Sequence, residues 1–115
     1  MNGLERVLAA VRFEPTDRLP AVPQVFGHAA VLADVPLKAY LCDGELLARC
    51  QLAAQARYGY DAVFTFMDTS VETEAAGSTL HYRDDAYPDV AVYVLKAGED
   101  PATLSVPDPH RDGRM

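Results

Sequence analysis

The sequence predicts an α/β fold, and three observations predict it. Two short apolar runs with β-branched and aromatic residues, Leu19–Phe26 and Asp61–Phe66, flank a long helix-forming stretch, which is the order of a parallel βαβ unit. Beyond it, Thr79–Tyr82 and Val90–Val94 alternate with period two around Asp84-Asp85-Ala86-Tyr87-Pro88, the pattern of an antiparallel hairpin. Half of the residues (50%) are hydrophobic, enough material for the core of one modest domain.

The elements follow in order. Leu4, Val7, Leu8 and Val11 fall at i, i+3, i+4 and i+7, so the chain opens on an amphipathic helix whose apolar face belongs against a core. Asn2 and Glu5 have capping-box spacing, and Glu14-Pro15-Thr16-Asp17 ends the helix. The first strand centres on Pro20–Phe26, where Pro23 removes a ladder donor and implies a bulge or an unpaired edge. Gly27 to Leu41 reads as two short helical pieces split at Asp34-Val35-Pro36. Asp43 then caps a helix from Glu45 to Tyr58, and Gly59 is placed to end it in a left-handed conformation. Tyr58-Gly59-Tyr60 packs the turn into the second strand, Ala62–Phe66. In the hairpin, Val90, Val92 and Val94 form the buried face. From Lys96 onward the chain is rich in Gly, Asp and Pro, with one helical turn at Pro101–Leu104. A parallel sheet needs neighbours on both edges, and only two such strands are visible, so the sequence reads as interrupted.

Charge and composition exclude several roles. Ten Lys and Arg stand against seventeen Asp and Glu, a formal charge of −7, so no basic surface for nucleic acid is expected. Apolar stretches break well before the ~18 residues of a membrane span, and the opening lacks the sections of a signal peptide. A cytoplasmic protein is expected, without a membrane partner. Cys42 and Cys50 are then reduced, and buried or partly buried. These cysteines and His28, His81 and His110 have no short ligand spacing, so no metal site is expected within the chain.

Leu4-Glu-Arg-Val-Leu-Ala-Ala-Val-Arg-Phe-Glu-Pro-Thr-Asp-Arg-Leu-Pro20 resembles the opening of the uroporphyrinogen decarboxylase superfamily, in which a short helix and a P-x-D-R-[LIV]-P turn lead into the first barrel strand. Arg57-Tyr-Gly-Tyr-Asp-Ala-Val-Phe-Thr-Phe-Met-Asp-Thr-Ser-Val-Glu-Thr-Glu-Ala-Ala-Gly77 is similar to the family's second strand, its acidic end and the E-A-x-G segment beyond. The tail Val106-Pro-Asp-Pro is a third match. The resemblance implies the N-terminal portion of a (β/α)₈ TIM barrel with an added β-hairpin. A complete barrel takes ~250 residues, so residues 1–115 would be one incomplete barrel domain, inactive alone.

The family resembled divides into cofactor-free decarboxylases of uroporphyrinogen and enzymes that move methyl groups between corrinoid proteins and thiols using zinc. The parent's partner would accordingly be a small molecule or a corrinoid protein. Zinc and corrinoid belong to a full-length methyltransferase-like parent, whose His-x-Cys ligands would lie later in the barrel. Asp68, just past the second strand, is the catalytic candidate. Barrel sites assemble on that face, and the resemblance places an aspartate there against pyrrole N–H groups. An ionised carboxylate accepts converging N–H donors and stabilises developing positive charge. The same residue also suits a cap for Thr69–Ala75.

Gln24, Phe26 and His28 are the substrate-binding candidates. Gln24 and His28 offer hydrogen bonding at the barrel mouth, although a His beside Gly27 also suits a surface or satisfied structural role. No Arg occurs between Arg18 and Arg49, whereas a substrate with many carboxylates needs cations there. That departure points away from porphyrinogen decarboxylation. Glu72 and Glu74 read as solvated or helix-terminal. The alternative to an enzyme fragment is a free-standing α/β binding or interaction module without catalytic activity.

Overall fold

The computed structural model describes residues 1–65 and 68–114. Five α-helices and two strands are formed among them: α1 (Gly3–Val11), α2 (His28–Leu32), α3 (Leu37–Cys42), α4 (Gly44–Tyr58), α5 (Val71–Ala75), β1 (Thr79–His81) and β2 (Asp89–Val92), with a 3₁₀ turn at Pro101–Thr103. Local signals account for the helix ends. Asn2 and Glu5 form the reciprocal capping box of α1. Asp43 accepts the Glu45 and Leu46 N–H groups at 3.0 and 3.1 Å, and Gly59 (φ +70°) closes α4 through its N–H to the Gln55 carbonyl.

The core lies where α2 and α3 pack on α4, and it comprises Ala29, Ala30, Leu37, Tyr40, Leu41, Leu47, Cys50 and Ala54. Alanines on α2 and α4 let the helix backbones approach, and Tyr40 fills the space between them. Its buried hydroxyl has a partner in Gln51 Nε2 at 2.6 Å, and burial pushes the phenol's pKa up.

Helix α1 is capped as expected but faces the other way. Leu4 is 68% and Val11 71% exposed, while Arg6 and Ala9 are buried. Arg6 decides this orientation. Its Nε and Nη2 donate to the two Asp17 oxygens at 2.7 and 2.8 Å, and its Nη1 reaches Asp61. Arg18 donates to both Asp61 oxygens at 2.6 and 2.9 Å, and the Ala21 N–H adds a contact of 2.7 Å. Forked guanidinium pairs are directional and charge-assisted, so they fix the helix more tightly than a short apolar stripe does. The Arg18 guanidinium first, then the Ala21 N–H and Arg6, hold the Asp61 carboxyl down at about 2. Arg6, with help from the N-terminal ammonium, holds Asp17 well below the ordinary carboxylate range.

The expected parallel strands are extended segments rather than a ladder. Among the described residues, strand pairing joins only β1 and β2, while the two segments meet through the Asp61 N–H and the Ala21 carbonyl at 2.8 Å. Pro20 and Pro23 offer no N–H, and the Ala21 N–H is taken by the Asp61 side chain, so three residues of Pro20–Phe26 have no donor to give to a ladder. Phe66 of the expected second strand lies outside the described residues. Helix α4 nevertheless grips both segments, because Gln51 Nε2 donates to the Phe26 carbonyl at 3.0 Å and Gln55 Nε2 to the Tyr60 carbonyl at 2.9 Å.

Strands β1 and β2 are antiparallel, with Thr79 opposite Val92, Leu80 opposite Val90 and His81 opposite Asp89. Their valine face is not buried: Val90 is half-buried, and Val92 and Val94 are exposed. A lone two-stranded ribbon covers only what packs on it. Both cysteines are free, but Cys42, at the end of α3, is exposed rather than buried. Cys50 is buried, which pushes its thiol pKa up.

Candidate functional site

The site begins at the end of the first extended segment. Phe26 adopts a left-handed backbone (φ +46°), a conformation that costs a bulky residue energy and needs support from its surroundings. The support is visible. The Phe26 carbonyl accepts the Tyr40 hydroxyl at 3.1 Å, Gln51 Nε2 at 3.0 Å and the Ala29 N–H at 3.1 Å, while its ring meets Phe64 edge to face at 6.0 Å. The next residue, Gly27, is buried, and its N–H donates to the Tyr87 hydroxyl at 2.8 Å.

Asp68 faces this corner from a position beyond the second segment. Its side chain is 2% exposed, with one oxygen accepting the Ser70 N–H at 2.7 Å and the other accepting Arg114 Nη1 at 2.7 Å. Ser70, not Asp68, occupies the cap position of α5, so the aspartate closes the turn before the helix. A carboxylate has about four lone-pair sites, and two hydrogen bonds from the described residues occupy half of them. Phe26, Asp68, Thr69 and Tyr87 together line a cavity of about 300 Å³.

Behind Asp68 lies a polar layer that the sequence did not announce. Arg114 also donates to Glu74 at 2.6 Å and to the Leu41 carbonyl at 3.1 Å, with its guanidinium 5.2 Å from the Tyr82 ring centre. The Tyr82 hydroxyl donates to Glu74 at 2.7 Å. Burial, then the bond to Glu74, raises the Tyr82 pKa. Burial also opposes the Arg114 charge, but Asp68 and Glu74 outweigh it and hold arginine's pKa above its usual value. Glu74 is thus half-buried in an ion pair rather than solvated, while Glu72 is exposed.

Of the sequence candidates, the structure brings together Phe26 and Asp68. Gln24 is exposed, with no side-chain partner among the described residues. His28 is exposed on α2, sharing a 2.9 Å hydrogen bond with the Tyr58 hydroxyl and stacking on its ring, and it does not line the Asp68 cavity. Tyr87 and Arg114 were missed. Tyr87 sits in a turn-forming run, and Arg114 lies 46 residues from Asp68, so neither shares a local spacing with the site. Among the described residues no three His, Cys, Asp or Glu gather as a metal ion needs. No helix among them is long and apolar enough to cross a membrane.

A search of curated proteins finds no match. A methyltransferase from Methanosarcina mazei shares the fold, with a TM-score of 0.77 at 24% identity over 99% of this chain, and the chain spans 35% of that protein's length. The family described as uroporphyrinogen decarboxylase (URO-D) matches residues 2–115, from the capped first helix through the Asp61 clamp and Asp68 to Arg114, and the chain belongs to that family.

Proposed function

We propose that this chain supplies the first wall of the active site of a barrel enzyme of the uroporphyrinogen decarboxylase superfamily, with Asp68 as catalytic residue and Phe26 as substrate-binding residue. The observation that carries this reading is the Asp68 carboxylate, to which the described residues give two hydrogen bonds, in a cavity that it lines together with Phe26, whose backbone is held in a left-handed conformation. The Asp68 side chain is itself only 2% exposed, so its negative charge is less screened than a surface carboxylate's, and substrate N–H donors or positive charge developing in the transition state gain from it. Gln24, on the first segment, and His28, at the start of α2, are exposed outside the cavity lining and would meet substrate only at the mouth.

Corrinoid-dependent methyl transfer is favoured over tetrapyrrole decarboxylation. No Arg stands between Arg18 and Arg49, and the cation nearest Asp68 is Arg114, already shared between two carboxylates. A polycarboxylate substrate would lack guanidinium partners near Phe26. The likeness to a methyltransferase points the same way. Any zinc or corrinoid would be held by other parts of the enzyme, which acts in the cytoplasm on a small molecule or a corrinoid protein.

The test is Asp68→Asn in an enzyme that carries this chain together with the rest of its barrel. Turnover should fall about a hundred- to thousandfold, or ~2.7–4 kcal/mol of transition-state stabilisation, with a near-normal denaturation midpoint. Unchanged turnover in a folded variant would leave Asp68 with the Ser70 turn alone. Assaying methyl transfer and decarboxylation side by side separates the two chemistries.

A further inference from the structure

The geometry points to Tyr87 as a ligand-contacting residue that donates its phenolic hydrogen to an acceptor atom of a compact, mainly apolar ligand in the Asp68 cavity. The inference rests on the reading of that cavity as a ligand site. Tyr87 lies in the connection between β1 and β2, and four contacts hold this connection in place. The Asp84 carbonyl accepts the Leu37 N–H at 2.8 Å, satisfying a donor that the first turn of α3 leaves free. Arg83 pairs with Asp89 at 2.6 Å and reaches the Tyr87 carbonyl at 3.3 Å. The Gly27 N–H then fixes the phenol itself.

That last bond leaves a definite valence. The Tyr87 oxygen accepts from Gly27, so its own hydrogen remains to be donated, and no described residue takes it. Gly27 is what admits the phenol, since a Cβ at this position would stand 2.8 Å from the Tyr87 oxygen and 2.9 Å from Leu37 Cδ1. The neighbouring residue is the strained Phe26, whose carbonyl is pulled inward by Tyr40 and Gln51. The cavity therefore has an aromatic side, a fixed donor at Tyr87, a hydroxyl at Thr69 and the Asp68 carboxylate. Its volume of about 300 Å³ falls at the small end of ligand sites. A ring-sized body with one carbonyl-type acceptor fits this inventory.

Two probes of one shape isolate the acceptor: acetophenone carries a carbonyl, and ethylbenzene does not. Titrated into the ¹⁵N-labelled 115-residue chain, both should shift the amides of Gly27 and Thr69, with acetophenone bound ~2- to 10-fold more tightly, the range of one net hydrogen bond. That preference should vanish in Tyr87→Phe and persist in Asp68→Asn. On the unmodified chain, acetophenone's methyl should show nuclear Overhauser contacts to the Phe26 and Tyr87 rings, which tests the placement even if the Tyr87→Phe variant does not fold. Equal binding of the two probes, a preference that survives Tyr87→Phe, or bound acetophenone without a Tyr87 contact overturns the Tyr87 assignment alone. Binding of neither probe, by the chain or, where the chain alone lacks amide dispersion, by the enzyme that carries it with the rest of its barrel, overturns the cavity reading as well.

Discussion

Asp61 and Asp68 are both nearly buried, at 3% and 2% side-chain exposure, and both are paired with arginine. They differ in what is left over. Asp61 accepts four hydrogen bonds, one from Arg6, two from Arg18 and one from the Ala21 N–H, so its lone-pair sites are filled by the chain itself. Asp68 accepts two from the described residues and borders a cavity. Burial and an arginine partner therefore do not distinguish a clamp from a site; unclaimed acceptor capacity beside open space does. The D-R pair of the opening motif belongs to the clamp, since Asp17 holds Arg6 and Arg18 holds Asp61.

Removing the clamp should have the largest effect on the fold. Asp61→Ala strips Arg6 and Arg18 of their shared partner and leaves the buried Arg6 with Asp17 and the Met1 carbonyl, so the denaturation midpoint should fall further than in Asp68→Ala. Equal losses in chemical denaturation would erase the distinction between the two aspartates.

Acid should register the loss of the Asp61 clamp. The folded Asp61 pKa of about 2 lies below its unfolded value of roughly 3.9, so the unfolded state binds more protons between them and stability rises with pH there. The contribution is present above about pH 4 and is lost as pH falls through about 2. Acid titration of Asp61→Asn, followed by circular dichroism, should lack that part of the slope.

Intermediate effects belong to the groups that shape the cavity. Gln51→Leu leaves the Phe26 carbonyl and the Tyr40 hydroxyl short of a donor in the core, at about 1–3 kcal/mol in denaturant unfolding. Gly27→Ala forces a methyl group against Tyr87 and Leu37, at a similar ~1–3 kcal/mol. A normal midpoint for either variant would show that the corner relaxes freely and that Phe26 is not held as described.

The smallest effect should come from the outward face of α1. Leu4→Glu with Val11→Glu should change stability by only about 0.5 kcal/mol per site, because both side chains are exposed. Light scattering should register more, since Leu4, Leu8, Val11 and Phe13 form an apolar surface that favours association of the isolated chain. A large loss of stability would mean that the stripe is buried after all.

What the sequence determined by itself was the local grammar. Asn2 with Glu5, Asp43 ahead of α4, and Gly59 behind it act over two to four positions, and such spacings are written directly in the chain. The family motifs likewise carried Asp68 to its place after the second extended segment. Tertiary structure decided the rest. Arg6 reaches Asp61 across 55 residues, Tyr87 reaches Gly27 across 60, and Arg114 reaches Asp68 across 46. These contacts turned the apolar face of α1 outward, replaced a strand ladder with a side-chain clamp, and gave Asp68 a cation that no local spacing supplies. The physical reason is that a charged or hydroxyl group spends its valence on whatever partner the fold brings within about 3 Å, and the distance along the chain does not enter that choice.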